Sequence, residues 1–259
     1  LPLESLAEYP TPTPPLPEQR KIADILGTWD DALEKLDALI AAKDRRKKAL
    51  MQQLLSGKHR LPGRSTRWKV RALGELIEPI TRTVPKPTSA FSAAGIRSHG
   101  KGVFLKPAFE PDAIALDELF EIKTSDLIVN ITFAWEGAAA IVPPAADGAL
   151  VSHRFPTFRV RESEAALSFL RHYILTARFV FNCGLASPGG AGRNRVLSKS
   201  AFLAMELTVP SASEQEKIGN VLDDVDTELR LLRTQRNVLD QQKRGLMQRL
   251  LTGKVRVAI

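Results

Sequence analysis

The sequence predicts an α+β protein in which a mixed α/β domain lies between two long helices in the chain. Two observations predict this class. A segment of about 40 residues occurs twice, and apolar residues recur every three or four positions in both copies, as in helices. The residues between the copies contain the short apolar runs of strands. The predicted boundaries are 1–16 for the tail of an earlier domain, 17–57 for the first helix, 58–66 for a linker, 67–210 for the mixed domain and 211–254 for the second helix.

The two copies of the repeated segment are related by a constant offset of 196 residues. The matches are Glu18-Gln19 with Glu214-Gln215, Lys21-Ile22 with Lys217-Ile218, Leu50-Met51-Gln52 with Leu246-Met247-Gln248, and Gly57-Lys58 with Gly253-Lys254. The same offset relates Pro14 to Pro210, at the end of the mixed domain. We therefore expect residues 1–16 to be the tail of an earlier copy of that domain. The absence of an initiator Met favours a fragment or a processed product.

Each predicted helix carries a narrow apolar stripe with alternating steps of four and three residues, which is typical of a coiled coil. The stripe residues are Ile22, Leu26, Trp29, Leu33, Leu36, Ile40, Leu50 and Leu54 in the first copy, and Ile218, Leu222, Val225, Leu229, Leu232, Leu239, Leu246 and Leu250 in the second. We expect the copies to pack on each other or on helices of a partner, because a small domain cannot cover so long a stripe. Gly57 and Gly253 are placed to end the helices in the left-handed conformation.

Composition sets broad limits on the class of protein. The formal net charge of +8 favours a polyanionic partner. Cys183 is the only cysteine, which excludes a disulfide framework and favours a reducing compartment. No apolar run reaches the roughly 18 residues of a membrane span. We therefore expect a cytoplasmic protein without a membrane partner.

The mixed domain is predicted from its local patterns. Residues 126–133 form a buried strand, and 68–71, 140–142 and 157–160 are further strands. Residues 164–181 keep one apolar face and are predicted to form a single helix.

Two polar loops are candidates for DNA contact. The first contains Arg97, His99, Lys101 and, further on, Lys106; the second is the glycine-rich stretch 187–192 followed by Arg193, Asn194 and Arg195. Arg and Asn are the side chains that bind guanine and adenine edges with two hydrogen bonds. The alternative for both loops is an ordinary solvated turn. Trp135 is interpreted as a core residue, with a stacking platform as the alternative.

A catalytic hypothesis depends on Asp112, Glu121 and Lys123, which resemble the acidic pair and lysine of magnesium nucleases. The alternative is a solvated loop that leads into the strand at 126. The four histidines and Cys183 lack metal-ligand spacing, and no nucleophile with a base is recognisable. We predict no catalytic residue, metal site or cofactor in this chain.

The repeated motifs resemble the specificity (S) subunits of type I restriction–modification systems. The similar motifs are Pro-Leu-Pro-Glu-Gln-Arg-Lys-Ile (15–22), Leu-Leu-Ser-Gly-Lys (54–58), Asp-Leu-Ile-Val-Asn (126–130) and Ala-Trp-Glu-Gly-Ala (134–138). The resemblance implies an antiparallel coiled coil of the two helices and a target recognition domain that binds half of a bipartite DNA site. It also implies a non-catalytic chain that docks methyltransferase subunits, with restriction subunits joining them. S-adenosylmethionine, ATP and Mg²⁺ then belong to those partners.

This sequence departs from the family pattern because it contains one target recognition domain instead of two. The resemblance therefore implies either the distal part of a longer chain or a half subunit that pairs with a second copy or with another S half. Two hypotheses compete with DNA recognition. One is the magnesium nuclease described above, and the other is a coiled-coil scaffold without a nucleic-acid role.

Overall fold

The computed structural model describes residues 13–62, 66–189 and 195–258. Its contacts divide the chain into two compact units. The helical unit contains the residues up to Lys48 together with those from Asp224 onward, and the sheet unit contains Ala49–Asp223. The predicted α+β class is confirmed, because long helices occur together with mixed sheets.

Six helices and eleven strands lie within the described residues. The helices are α1 (Leu16–Leu54), α2 (Leu73–Leu76), α3 (Leu167–Tyr173), α4 (Ala177–Leu185), α5 (Lys199–Leu203) and α6 (Ala212–Leu251). The strands are β1 (Lys69–Ala72), β2 (Ile77–Ile80), β3 (Thr83–Pro85), β4 (Phe91–Ile96), β5 (Val103–Phe109), β6 (Glu118–Glu121), β7 (Leu127–Val129), β8 (Ala139–Ile141), β9 (Leu150–Val151), β10 (Thr157–Val160) and β11 (Glu206–Val209). None of the described helices is long and apolar enough to cross a membrane.

The two long helices run antiparallel in the helical unit. Asp30, in the first half of α1, pairs with Lys243, near the end of α6. Further along α1, Lys47 pairs with Asp226, near the start of the α6 segment in this unit. Residue numbers therefore increase along α1 in the direction in which they decrease along α6. The antiparallel coiled coil of the predicted fold class is confirmed.

The predicted stripe serves two different packing surfaces. None of its sixteen residues is exposed. In the helical unit, for example, Ile22, Leu33 and Leu229 are buried. Four stripe residues lie in the hydrophobic core of the sheet unit: Leu50, Leu54, Ile218 and Leu222. The helices therefore also supply part of the core of the sheet unit.

Glycines in the left-handed conformation follow both long helices. Gly57 has a φ of 70° and Gly253 a φ of 71°, which glycine adopts without steric cost. The Gly57 N–H donates to the Leu54 carbonyl (3.4 Å), and the Gly253 N–H donates to the Leu250 carbonyl (3.2 Å). The helices end slightly before the predicted positions, because the final residues form these turns.

The repeat extends to side-chain contacts. In the helical unit the buried Glu18 carboxylate accepts two hydrogen bonds from Arg256 (2.7 and 2.6 Å). In the sheet unit the buried Glu214 carboxylate accepts two from Arg60 (both 2.7 Å). Each residue of the second pair stands 196 positions from its counterpart in the first. The hydrogen bonds from Arg256 lower the pKa of Glu18.

The sheet unit contains three sheets within its described residues. Strands β1 and β11 form a pair, and the four-stranded sheet has the order β2-β10-β7-β8. The five-stranded sheet has the order β3-β6-β9-β4-β5. All pairs are antiparallel except β4 with β9, where Ala93 faces Leu150 in parallel register.

Strand β7 is the centre of the sheet unit because both of its faces are buried. Leu127 and Val129 point into the hydrophobic cluster that includes residues of α1 and α6, whereas Ile128 points into a second cluster. Successive side chains of a strand point to opposite faces, so three consecutive apolar residues serve two cores. The predicted strand 126–133 was wrong in length. It ends at Val129 because the Asn130 side chain accepts a hydrogen bond from the Thr132 N–H (3.0 Å) and forms a turn.

The predicted single helix 164–181 was wrong. It is two helices, α3 and α4, with a break after Tyr173. The Thr176 hydroxyl accepts a hydrogen bond from the Phe179 N–H (3.3 Å) and caps a new helix. The change of direction leaves Phe181 66% exposed, although the single-helix pattern placed it on the buried face.

Candidate nucleic-acid interface

The β4–β5 hairpin positions an aromatic ring, Phe104, on β5, the edge strand of the five-stranded sheet. Its register places Gly95 opposite Phe104 and Ala93 opposite Lys106. The Phe104 ring lies directly on the Gly95 backbone, because a Cβ built at Gly95 would be 2.6 Å from Phe104 Cζ. A glycine is therefore required at position 95 for Phe104 to occupy this place.

Two of the predicted DNA-binding cations meet at this ring. The Arg97 guanidinium carbon lies 5.1 Å from the centroid of Phe104, and Lys106 Nζ lies 5.9 Å from the same centroid. Lys106 Nζ is also 5.7 Å from the centroid of Phe109. Each such contact contributes about 0.5–1 kcal/mol at an exposed site. Both cations are exposed, so the rings hold positive charge toward the solvent without an acidic partner among the described residues.

The tip of the hairpin carries the other two predicted residues of the first loop, His99 and Lys101, both exposed. His99 has a φ of 62°, a conformation that few non-glycine residues adopt. Its N–H donates to the Glu136 carbonyl (2.8 Å), and the Ser98 hydroxyl donates to Glu136 Oε2 (2.9 Å). These bonds fix the tip on the turn that contains Glu136.

The same turn contains the ring that contacts the second loop. Arg195 places its guanidinium carbon 5.6 Å from the centroid of Trp135, and Trp135 Nε1 donates to the Thr132 carbonyl (3.0 Å). Trp135 is half-buried, so it is a platform for Arg195 as well as a packing residue. Arg193 and Asn194 lie outside the described residues. The turn at residues 134–137 thus contacts both the hairpin tip, at His99, and Arg195.

A cavity of about 500 Å³ opens beside the hairpin. Five phenylalanines contribute to its lining: Phe91, Phe104, Phe109, Phe133 and Phe155. The Asn130 side chain lines it as well and is only 8% exposed. Sequence reasoning missed Phe104 and Phe109. The two-residue spacing of Phe104 and Lys106 was the signal that could have found Phe104, since residues two apart in a strand share a face. Phe109 is three residues from Lys106, and that spacing gives no such signal.

The predicted magnesium site of the nuclease alternative does not form. Lys123 Nζ donates to Glu121 Oε1 (2.6 Å), and this hydrogen bond raises the pKa of Lys123. Asp112 is exposed in a short 3-10 turn, Pro111–Ala113. Within the described ranges, no group of three or more His, Cys, Asp or Glu side chains is placed to hold a metal ion. The nuclease alternative is therefore not supported.

Cys183 does not supply a reactive thiol. It is fully buried in the core of the sheet unit, and burial raises the pKa of its thiol to about 12. A thiol with that pKa is protonated at neutral pH and is a poor nucleophile.

The chain is similar to known proteins. A profile described as the type I restriction modification DNA specificity domain matches residues 66–241. The type I restriction enzyme MjaVIII specificity subunit of Methanocaldococcus jannaschii is 23% identical over 95% of the chain and 62% of its own length. The chain spans about three-fifths of the length of the curated relatives it matches.

Solved structures share the fold. The HsdS subunit from Thermoanaerobacter tengcongensis superposes with a TM-score of 0.52 at 18% identity, covering 95% of this chain and 61% of that one. The type I restriction–modification S subunit from M. genitalium gives a TM-score of 0.57 at 15% identity, covering 91% and 61%.

The fold defines a class: modular proteins that combine a mixed α/β domain with an antiparallel coiled coil. Within that class, the chain belongs to the type I restriction–modification DNA specificity domain family, because the family profile matches more than half of it.

Proposed function

We propose that this chain recognises one half of a bipartite duplex DNA site for a type I restriction–modification complex. The observation that carries the proposal is the exposed pair Arg97 and Lys106, held over Phe104 on a unit that matches a DNA specificity domain. The formal net charge of +8 suits a polyanionic partner. The sheet unit is the DNA-binding part in this proposal, and it acts without chemistry of its own.

The two kinds of cation have separate roles in this proposal. Arg97 presents a planar guanidinium that can bind O6 and N7 of guanine together. Lys106 is a point charge suited to a phosphate oxygen. Cation–aromatic packing reduces the rotamer freedom that each side chain loses on binding DNA. His99 and Arg195, which both contact the turn at 134–137, extend the contact surface, as does Lys101 at the hairpin tip.

The partners follow from the family. We propose that methyltransferase subunits dock on the long helices and that a restriction subunit joins them in the cytoplasm. S-adenosylmethionine, ATP and Mg²⁺ are then bound by those subunits. With one sheet unit, the chain supplies one half of the recognition, and a second copy or another S half supplies the other. Rigid antiparallel helices would set the spacing between the two halves.

Alanine at Arg97 is expected to weaken binding to the preferred duplex by about 1–3 kcal/mol, or roughly 5- to 150-fold, if it contacts a base. Arg97→Lys keeps the charge but loses the bidentate hydrogen bonding, so it should relax base preference while non-specific affinity remains.

Lys106→Ala should weaken binding to all duplexes and reduce the dependence of affinity on salt. Fluorescence anisotropy over a series of salt concentrations measures all three effects.

The matched control is Lys69→Ala, which removes one positive charge from an exposed position on β1. It should change affinity only slightly. Equal binding by Arg97→Ala, Lys106→Ala and Lys69→Ala at every salt concentration would remove this surface from the DNA interface.

A further inference from the structure

Among the described residues of the helical unit, five ion pairs connect α1 to α6, and we call these five the charge ladder. They are Asp30–Lys243, Asp37–Arg236, Lys43–Glu228, Asp44–Arg233 and Lys47–Asp226. The N···O distances are 3.1 Å for Asp37–Arg236, 2.6 Å for Lys43–Glu228 and 2.7 Å for Asp44–Arg233. Lys43 and Lys47 of the ladder are half-buried in the apolar stripe, whereas Arg45 and Arg46 beside them are exposed.

The repeat shows what each ladder residue would face in other pairings. We consider a second α1 that packs antiparallel on the first in the register that α6 has. Because the copies differ by 196 positions, each α6 partner residue is then replaced by the α1 residue whose number is 196 lower. Asp30 would then face Lys47, and Lys47 would face Asp30. These two ion pairs are therefore independent of which copy the partner is.

The other three ion pairs depend on the partner. Against a second α1, Asp44 would face Asp37 instead of Arg233, and symmetry would repeat this like-charge contact. Asp37 would lose Arg236 and face Ile40. Lys43 would lose Glu228 and face Ala32. An α1 helix packed on α6 therefore has five attractive contacts. An α1 helix packed on a second α1 has two attractive contacts and two repulsive ones.

The second helix also discriminates. In an α6–α6 pair of the same register, Arg236 would face Arg233 in place of Asp37. Charges that flank a coiled-coil seam are the usual determinant of partner choice and orientation, because mismatched pairs lose attraction and gain repulsion together.

We infer that the charge ladder is a pairing-specificity surface, for which the matching partner of α1 is a helix with the charge pattern of α6 and not a second α1. The chain can therefore close α1 on its own α6, or two chains can exchange helices so that each α1 takes the other's α6. Two chains joined through their α1 helices alone are selected against. This inference does not depend on the DNA-binding role.

Asp44→Arg tests the inference because one substitution inverts the preference. When α1 packs on α6, the new guanidinium faces Arg233. When α1 packs on a second α1, the new guanidinium faces Asp37. We expect the variant to lower the unfolding temperature of the full chain by on the order of 2–4 °C at low salt. Asp44→Arg combined with Arg233→Asp should restore it. Asp31→Arg is the control, since Asp31 is exposed on α1 and outside the ladder.

Chain-to-chain crosslinking measures partner choice directly. Ile40 lies near the symmetry axis of an α1–α1 pair, so a cysteine there crosslinks two such chains under mild oxidation, while Cys183 is buried. We expect Ile40→Cys alone to crosslink weakly and the addition of Asp44→Arg to raise the crosslinked fraction at least ~3-fold. The inference is overturned if Asp31→Arg raises crosslinking equally, or if the double variant with Arg233→Asp is no more stable than the two single effects combined.

Discussion

Replacing Asp126 with alanine is expected to lower the free energy of unfolding of the sheet unit by about 3–5 kcal/mol. Asp126 is 4% exposed and accepts hydrogen bonds from both terminal nitrogens of Arg82 (2.5 and 3.1 Å). It also accepts one from the Lys123 N–H (2.9 Å). The substitution leaves the partly buried guanidinium without its counter-charge and one N–H without an acceptor. Chemical denaturation of the full chain measures the loss.

Two companion variants separate this explanation from a general sensitivity to acidic residues. Asp112→Ala removes an exposed carboxylate and should change the free energy of unfolding by less than about 0.5 kcal/mol. Arg82→Met together with Asp126→Leu removes both charges and should recover most of the stability, because a buried ion pair is often replaceable by apolar groups. Equal losses for Asp126→Ala and the double variant would contradict the ion-pair account.

Gly219→Ala is expected to destabilise the sheet unit by about 1–3 kcal/mol, although alanine is the better helix former. A Cβ at Gly219 of α6 would lie 2.3 Å from Ser168 Oγ and 2.6 Å from the Phe169 backbone nitrogen. The hydroxyl can rotate away, but the backbone nitrogen cannot. Helix α3 would have to separate from α6, which loses packing in the core. Thermal unfolding of the full chain checks the sign.

Gly245→Ala is the matched control on the same helix. Nothing lies within 4 Å of a Cβ at Gly245, so the substitution should stabilise the chain by about 0.5–1 kcal/mol through helix propensity alone. The repeat supports this contrast, because Ala23 stands at the position equivalent to Gly219 and is exposed. If both glycine variants stabilise the chain, then the close approach of α3 to α6 is wrong.

The sequence predicted the long helices well because their information is local and periodic. Stripe residues such as Leu33 and Leu229 could be assigned from spacing alone, and the left-handed Gly57 and Gly253 from their place after a helix. The break at Thr176 could not be found in this way. The apolar period continues through it, and only the hydrogen bond from the Phe179 N–H reveals a new helix.

The residues of the candidate interface were proposed from the sequence, but their arrangement could not be. The sequence predicts that Arg97 and Lys106 are polar loop residues, yet Lys106 lies in a strand and both pack on Phe104. That arrangement depends on the register of β4 with β5 and on the small size of Gly95. The Arg82–Asp126 ion pair was missed for a similar reason. Its partners are 44 residues apart, and no local pattern connects them.

Selection of duplexes from a random DNA library by the full chain, co-expressed with its methyltransferase partner, tests the central claim most directly. We predict that the wild-type chain enriches one defined base sequence and that Arg97→Ala loses the preference at one or more of its positions, while Lys69→Ala keeps it. Recovery of no preferred sequence by the wild-type chain, or of an unchanged sequence by Arg97→Ala combined with Lys106→Ala, would contradict the account.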